Sequence, residues 1–183
     1  MAELAVAKKR YTYEDYLKTP DEERYELIEG ELIMTPSPKT DHQRISGRLD
    51  FVLRKFVMEK DLGEVFYAPY DVYLDEEDCV QPDILFVSKE RLNIIGENNV
   101  QGAPDLVVEI TSKGTAYKDV IQKKMLYARL GVKEYWIVAP LEKMVEVYSL
   151  KDREYQLIET CFYNDILKSP LLKGFNVELK EIF

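Results

Sequence analysis

The sequence predicts an α/β (α+β) protein with a mixed central β-sheet flanked by helices. Three observations carry that expectation. Apolar runs at 84–87, 106–111 and 134–138 have the length of buried strands and are too short for core helices. Two longer stretches, 41–60 and 117–130, carry apolar residues at helical spacing. An early hairpin signal makes the first strand pair antiparallel, which excludes a regular βαβ wind.

The 183 residues predict a single domain over 1–183, with 1–9 as a loosely ordered arm. That is enough chain to bury a core without disulfides or structural metal. Thr12 reads as an N-cap, with Glu14 and Asp15 in the first turn of a short helix that should stop near Pro20. Segments 24–28 and 31–34 flank Glu29-Gly30 and read as a hairpin. Pro36 and Pro38 break the chain. Ile45, Leu49, Val52, Leu53 and Phe56 then mark one face of the first long helix, and Gly63 is expected to end it. Strands are expected at 65–67 and 72–74, joined through Pro69. The acidic run Asp75-Glu76-Glu77-Asp78 reads as a solvated turn. A loop through Gly96 and Gly102 separates the strands at 84–87 and 106–111. Gly131 closes the second helix, and Pro140 cuts the strand at 134–138. A hairpin over 144–149 and 154–159 turns about Lys151-Asp152, and 175–179 is the last expected strand.

The two cysteines, Cys79 and Cys161, show neither disulfide nor metal-ligand spacing, which fits a reducing cytoplasm. No stretch has the length of a membrane span or of a signal peptide's apolar core. The net charge of −9 means that any basic patch is local, against an acidic average.

Two carboxylates stand out. Asp83 opens the run Gln81-Pro82-Asp83-Ile84-Leu85-Phe86-Val87, and Glu109 interrupts Leu106-Val107-Val108-Glu109-Ile110. Burying a carboxylate costs several kcal/mol unless something neutralises it. Two on adjacent strands could share a divalent cation, the outline of a metal-dependent phosphodiesterase. The competing readings are a strand-entry cap for Asp83 and a solvent-facing side chain for Glu109. Asp119, Lys123 and Tyr127 form one stripe on the following helix, which is either the basic partner of the site or an exposed ion pair. Lys124 falls nearer the middle of that helix's apolar face and is either a snorkelling side chain or the functional lysine. His42, the sole histidine, opens the first long helix, where the helix dipole disfavours a protonated ring. Glu26 and Glu29 on the first hairpin could reach a metal from a second side.

This ordered set resembles the PD-(D/E)XK nuclease superfamily, and in particular its large bacterial branch of restriction-endonuclease-like proteins. The likeness runs from about Tyr11 to Leu150. It takes in Tyr25-Glu26-Leu27-Ile28-Glu29-Gly30-Glu31-Leu32, His42, Gln81-Pro82-Asp83-Ile84, Asp105-Leu106-Val107-Val108-Glu109-Ile110 and the stretch from Tyr127 to Trp136. It implies a restriction-endonuclease-like core with a metal at the rim of the sheet. Asp83 and Glu109 would ligate Mg²⁺ (or Mn²⁺), helped by the Ile110 carbonyl, and a lysine would orient the attacking water. The superfamily's lysine normally follows the Glu by two residues, where this chain has Thr111. In this branch the lysine maps to the next helix, at Lys123. Lys113, where the branch usually carries proline, is a third candidate. Ala139 replaces an Asp common after the Tyr-Trp strand.

The expectation is therefore a Mg²⁺-dependent endodeoxyribonuclease acting on DNA, with a homodimer matching the duplex two-fold and the Tyr-rich C-terminal hairpin as its candidate surface. Two alternatives stay open: a nuclease-like module that binds nucleic acid or protein without cutting, and an enzyme acting on another phosphoester.

Overall fold

The computed structural model describes residues 9–20, 22–111 and 116–183. In chain order the elements are α1 (Tyr13–Tyr16), β1 (Tyr25–Ile28), β2 (Glu31–Met34), α2 (Thr40–Glu59), β3 (Gly63–Tyr67), β4 (Asp71–Asp75), β5 (Asp78–Val80), β6 (Ile84–Ser88), a 3₁₀ turn (Lys89–Ile94), β7 (Asn99–Gln101), β8 (Leu106–Ile110), α3 (Ala116–Leu130), β9 (Glu134–Ala139), β10 (Met144–Lys151), β11 (Glu154–Phe162), β12 (Ile166–Lys168), β13 (Asn176–Glu178) and a closing 3₁₀ turn (Leu179–Glu181).

The mixed central sheet expected is present, with a second mixed sheet and the two-stranded β12-β13 sheet beside it. The larger runs β11-β10-β9-β8-β6-β3 and the smaller runs β2-β1-β5-β4-β7. The alternation along β8 sets the layers. Leu106, Val108 and Ile110 face a core shared with Ile45, Leu49, Leu53 and Val57 of α2 and with the C-terminal segment through Phe175 and Leu179. Val107, one step out of phase, faces the opposite core with Leu126 and Tyr127 of α3 and with Ile28, Val72 and Val80 of the smaller sheet. The larger sheet is thus covered on both faces, which explains why its inner strands read as continuous apolar runs.

Local chemistry fixes the turns. Glu29 and Gly30 both take positive φ, as a two-residue hairpin turn with the right twist requires. Asp152 and Arg153 do the same between β10 and β11. Asp61, not Gly63, supplies the left-handed residue that closes α2, and the Leu62 N–H returns to the Val57 carbonyl. Gly63 has another task. A Cβ there would stand 2.1 Å from the Val87 carbonyl oxygen, so glycine lets β3 approach β6. The first helix is a single turn with a Thr12/Asp15 capping box.

The acidic run departs from its solvated reading. It joins β4 to β5, and Asp78 is buried, accepting from the Glu29 N–H at 2.7 Å and from Arg129. Both cysteines are buried and unpaired with each other. Among the described residues no helix is long and apolar enough to cross a membrane.

Candidate active site

β6 lies between β3 and β8, and Asp83 is the residue just before it. Pro82, one residue earlier, lies outside the strand, where a missing N–H costs no ladder bond. Ile84 pairs with Val108 in antiparallel register, so one further step brings Asp83 opposite Glu109. The Asp83 carboxylate is fixed on one oxygen: Oδ2 accepts the Ile110 N–H at 2.7 Å and meets His42 Nε2 at 3.1 Å. His42 comes from the first turn of α2. Burial pulls its pKa down, but the hydrogen bond and charge of Asp83 outweigh this and raise it. The local carboxylate thus overrides the helix-dipole expectation for this ring.

Glu109 is buried, with 9% of its surface exposed, and points toward α3. Its Oε1 accepts from Lys123 Nζ at 3.0 Å and from the Tyr127 hydroxyl at 2.7 Å. Lys123 Nζ also donates to Glu26 Oε1 at 2.8 Å, and that same oxygen accepts the Gln81 N–H at 2.8 Å. The i, i+4 spacing of Lys123 and Tyr127 therefore delivers two donors to one oxygen. Burial pushes the Glu109 carboxyl up. Lys123 opposes that shift, while the charges of Asp83 and Glu26 add to it. For Lys123, burial works to lower the pKa, but the two carboxylates prevail and hold it charged.

The structure thus gathers Glu26, His42, Asp83, Glu109, Ile110 and Lys123 around one cavity of about 840 Å³. It does not bring every candidate there. Glu29 sits at the hairpin turn, 3.6 Å from Arg129, beside a different cavity. Lys124 points to the aromatic group behind the site, its Nζ 3.5 Å from the Tyr148 ring centroid, and burial lowers its pKa. Lys113 lies outside the described residues. Two side chains not singled out for a role, Tyr127 and Gln81, prove to be part of the construction. Gln81 donates its backbone N–H to Glu26, and its side chain donates to Asp71 Oδ1 at 2.8 Å and accepts from Arg24. Both lie in the quoted motifs. The i+4 spacing from Lys123 is the geometric signal for Tyr127.

The donor set decides which ions fit. Among the described residues no group of three or more His, Cys, Asp or Glu side chains could hold a metal by itself. Mg²⁺, however, keeps several waters and is satisfied by one or two carboxylates. Between described residues, the hydrogen bonds leave Asp83 Oδ1 and Glu109 Oε2 unused, each on a carboxylate whose other oxygen is anchored. Among the described residues, Glu26 and Glu109 share the Lys123 ammonium group and Asp83 pairs with the His42 ring, so acids outnumber cations in the cluster. Asp83, Glu109 and the neighbouring Ile110 carbonyl offer hard oxygen donors suited to a divalent cation.

A family model described as "Uma2: Putative restriction endonuclease" matches residues 12–180. The chain belongs to this family. The crystal structure of "a putative nuclease belonging to DUF820" from Anabaena variabilis ATCC 29413 is similar in fold, with a TM-score of 0.78 at 22% identity over 94% of this chain and 97% of that one. Likeness at that identity establishes the fold alone. The restriction-endonuclease-like architecture expected for a family member is the one present. No curated protein matches the chain.

Proposed function

We propose that this family member is a metal-dependent endonuclease that hydrolyses phosphodiester bonds in nucleic acid, with DNA as the first substrate to test. One observation carries the reading. Asp83, Glu109 and Lys123, from three separate elements, converge on a single cavity with the order and chemistry of a carboxylate–carboxylate–lysine nuclease site. Family membership supports it.

Asp83, Glu109 and the Ile110 carbonyl would hold Mg²⁺ or Mn²⁺. The ion would supply Lewis-acid activation of water and charge neutralisation at the phosphate. The protein's own part is positioning. His42 and the Ile110 N–H fix the Asp83 carboxylate. Tyr127 fixes Glu109. Glu26 and Glu109 keep Lys123 protonated and aimed between them. An ammonium group held there can stabilise the extra negative charge of the attacked phosphate without reorganising, which is how preorganised donors lower a barrier. Glu26 thus acts through Lys123, not on substrate. Were both strands of a duplex cut, a two-fold pair would serve, and Leu157, Ile158 and Phe162 on the edge strand β11 offer it exposed apolar surface.

The Lys123 network, hydrogen-bonded to Glu26 and Glu109 without a metal, favours one rival: a nuclease-like module that binds without cutting. Cleavage of supercoiled plasmid and of single-stranded DNA with Mg²⁺ or Mn²⁺ separates the two. The wild type should cleave, and Asp83→Ala should reduce the rate by at least about a hundredfold, the scale for losing a group that orients a metal or its water. The variant's circular dichroism should match the wild type. Full activity in Asp83→Ala would remove the assignment, and an inert, folded wild type would favour the binding module.

A further inference from the structure

We infer that the cavity takes an unpaired, single-stranded stretch of nucleic acid, with a base stacked on Tyr67; this rests on the nuclease reading above. Tyr67 ends β3 and pairs with Ile84, the residue after Asp83. The next N–H, that of Ala68, donates to the Asp83 carbonyl at 3.0 Å. The Tyr67 backbone therefore stands one cross-strand step from Asp83, and its side chain lines the same cavity and is 58% exposed. A single exposed tyrosine on a protein surface needs no explanation. This one is held in place. The Arg54 guanidinium lies over the ring, 5.6 Å from its centroid, and is itself fixed to Asp50 by bonds of 2.7 and 3.3 Å. A ring immobilised before its ligand arrives loses little entropy on binding. Met34, Pro36 and Pro38 add apolar surface to the same cavity.

Charge decides between a duplex and an unpaired strand. Proteins that grip duplex DNA draw their affinity from Lys and Arg on phosphates. Among the described residues, the basic side chains lining this cavity are Arg24, Lys39, His42 and Lys123, against the acids Glu26, Asp50, Asp83 and Glu109. Lys123 is committed to two carboxylates and Arg24 donates to Gln81. Among the described residues no positive surplus is left there to track two backbones, and the whole chain carries −9. Stacking on an aromatic platform adds affinity whatever the sequence, and only an unpaired strand offers its bases to it.

The test compares labelled single-stranded DNA, single-stranded RNA and the matching duplex. Binding is read by fluorescence anisotropy with Ca²⁺, and cleavage is read with Mn²⁺. Wild type, Tyr67→Ala and Tyr67→Trp are run together, with thermal melting as the control for folding. The single strands should bind at least about tenfold tighter than the duplex, and Tyr67→Ala should lose roughly tenfold on them, the scale of one lost base–aromatic stack. Tyr67→Trp should bind as the wild type does. The DNA and RNA arms show whether the sugar is read. A duplex bound and cut as well as the single strands, or a Tyr67→Ala indistinguishable from wild type, overturns the stacking inference and leaves the nuclease reading standing. Failure of folded wild type to bind or cut any of the three overturns the nuclease reading, and this inference with it.

Discussion

At the scale of single residues, the consequential side chain is Lys123. Its ammonium group neutralises two carboxylates, Glu26 at 5% and Glu109 at 9% exposure. Removing one partner of a buried ion pair leaves uncompensated charge, which costs more than the pair itself contributes. Lys123→Met should therefore destabilise the fold by about 3–5 kcal/mol. Adding Glu26→Gln to that variant should restore part of the loss, because one stranded charge is gone. Urea unfolding of the two variants checks both statements, and a single variant as stable as wild type would show that solvent already reaches the pair. The residue reading from sequence was sharp for Asp83 and Glu109, since a carboxylate inside an apolar run is costly wherever the strand is buried. It was blunt for the lysine. A helical wheel ranks Lys124 nearer the apolar face, but which stem reaches Glu109 depends on how α3 is rotated against β8. That rotation is set by Leu126 and Tyr127 packing against the sheet and by Lys124 lying over Tyr148.

Among the elements, β8 is anchored at its entry by Asp105, whose side chain is fully buried. Its Oδ1 pairs with Lys133 at 2.7 Å and Arg91 at 3.0 Å, and its Oδ2 accepts the Ser88 N–H at 2.8 Å. Burial acts to raise this carboxyl's pKa, but Lys133, Ser88 and Arg91 outweigh it, and the net shift is downward. A depressed folded pKa contributes stability above the unfolded value, near 3.8, and that stability is lost as pH falls through the folded value. Stability should hold from neutrality down to about pH 4 on this account and fall below it. In Asp105→Asn that acid component should be absent, with a loss of about 1–3 kcal/mol at pH 7. Urea midpoints across the pH range read both, and an Asn variant with the wild-type acid profile would sink the assignment. Elements with strong periodicity were legible: α2 from its apolar stripe, β8 from its run, the first hairpin from Glu29-Gly30, and the second to within one residue, its turn being Asp152-Arg153 and not Lys151-Asp152. The three-residue strands β5, β7 and β12 were not, because so short a segment has no period to read. The second sheet was missed with them, and so was the burial of Asp78. Its partner Arg129 lies on α3, and no local pattern announces that meeting.

For the whole molecule, the decisive property is charge. With 34 acidic and 25 basic side chains, this protein repels a polyanion at long range. A protein that neutralises six to ten phosphates loses about 10³–10⁵ in affinity between roughly 50 and 200 mM salt. If a base on Tyr67 and a cation between Asp83 and Glu109 carry the binding, only one or two phosphates are neutralised by basic side chains. The dependence of log affinity on log salt for a single strand should then have a slope of about −1, and the fourfold rise in salt should weaken binding by less than about tenfold. Chelating the divalent ion should weaken it more than the salt does, since the carboxylates would then face the phosphate directly. A titration series at several KCl concentrations, with and without EDTA, measures both effects. A slope of −5 or steeper would mean that a basic surface elsewhere does the gripping, and the cavity would lose its place as the centre of recognition.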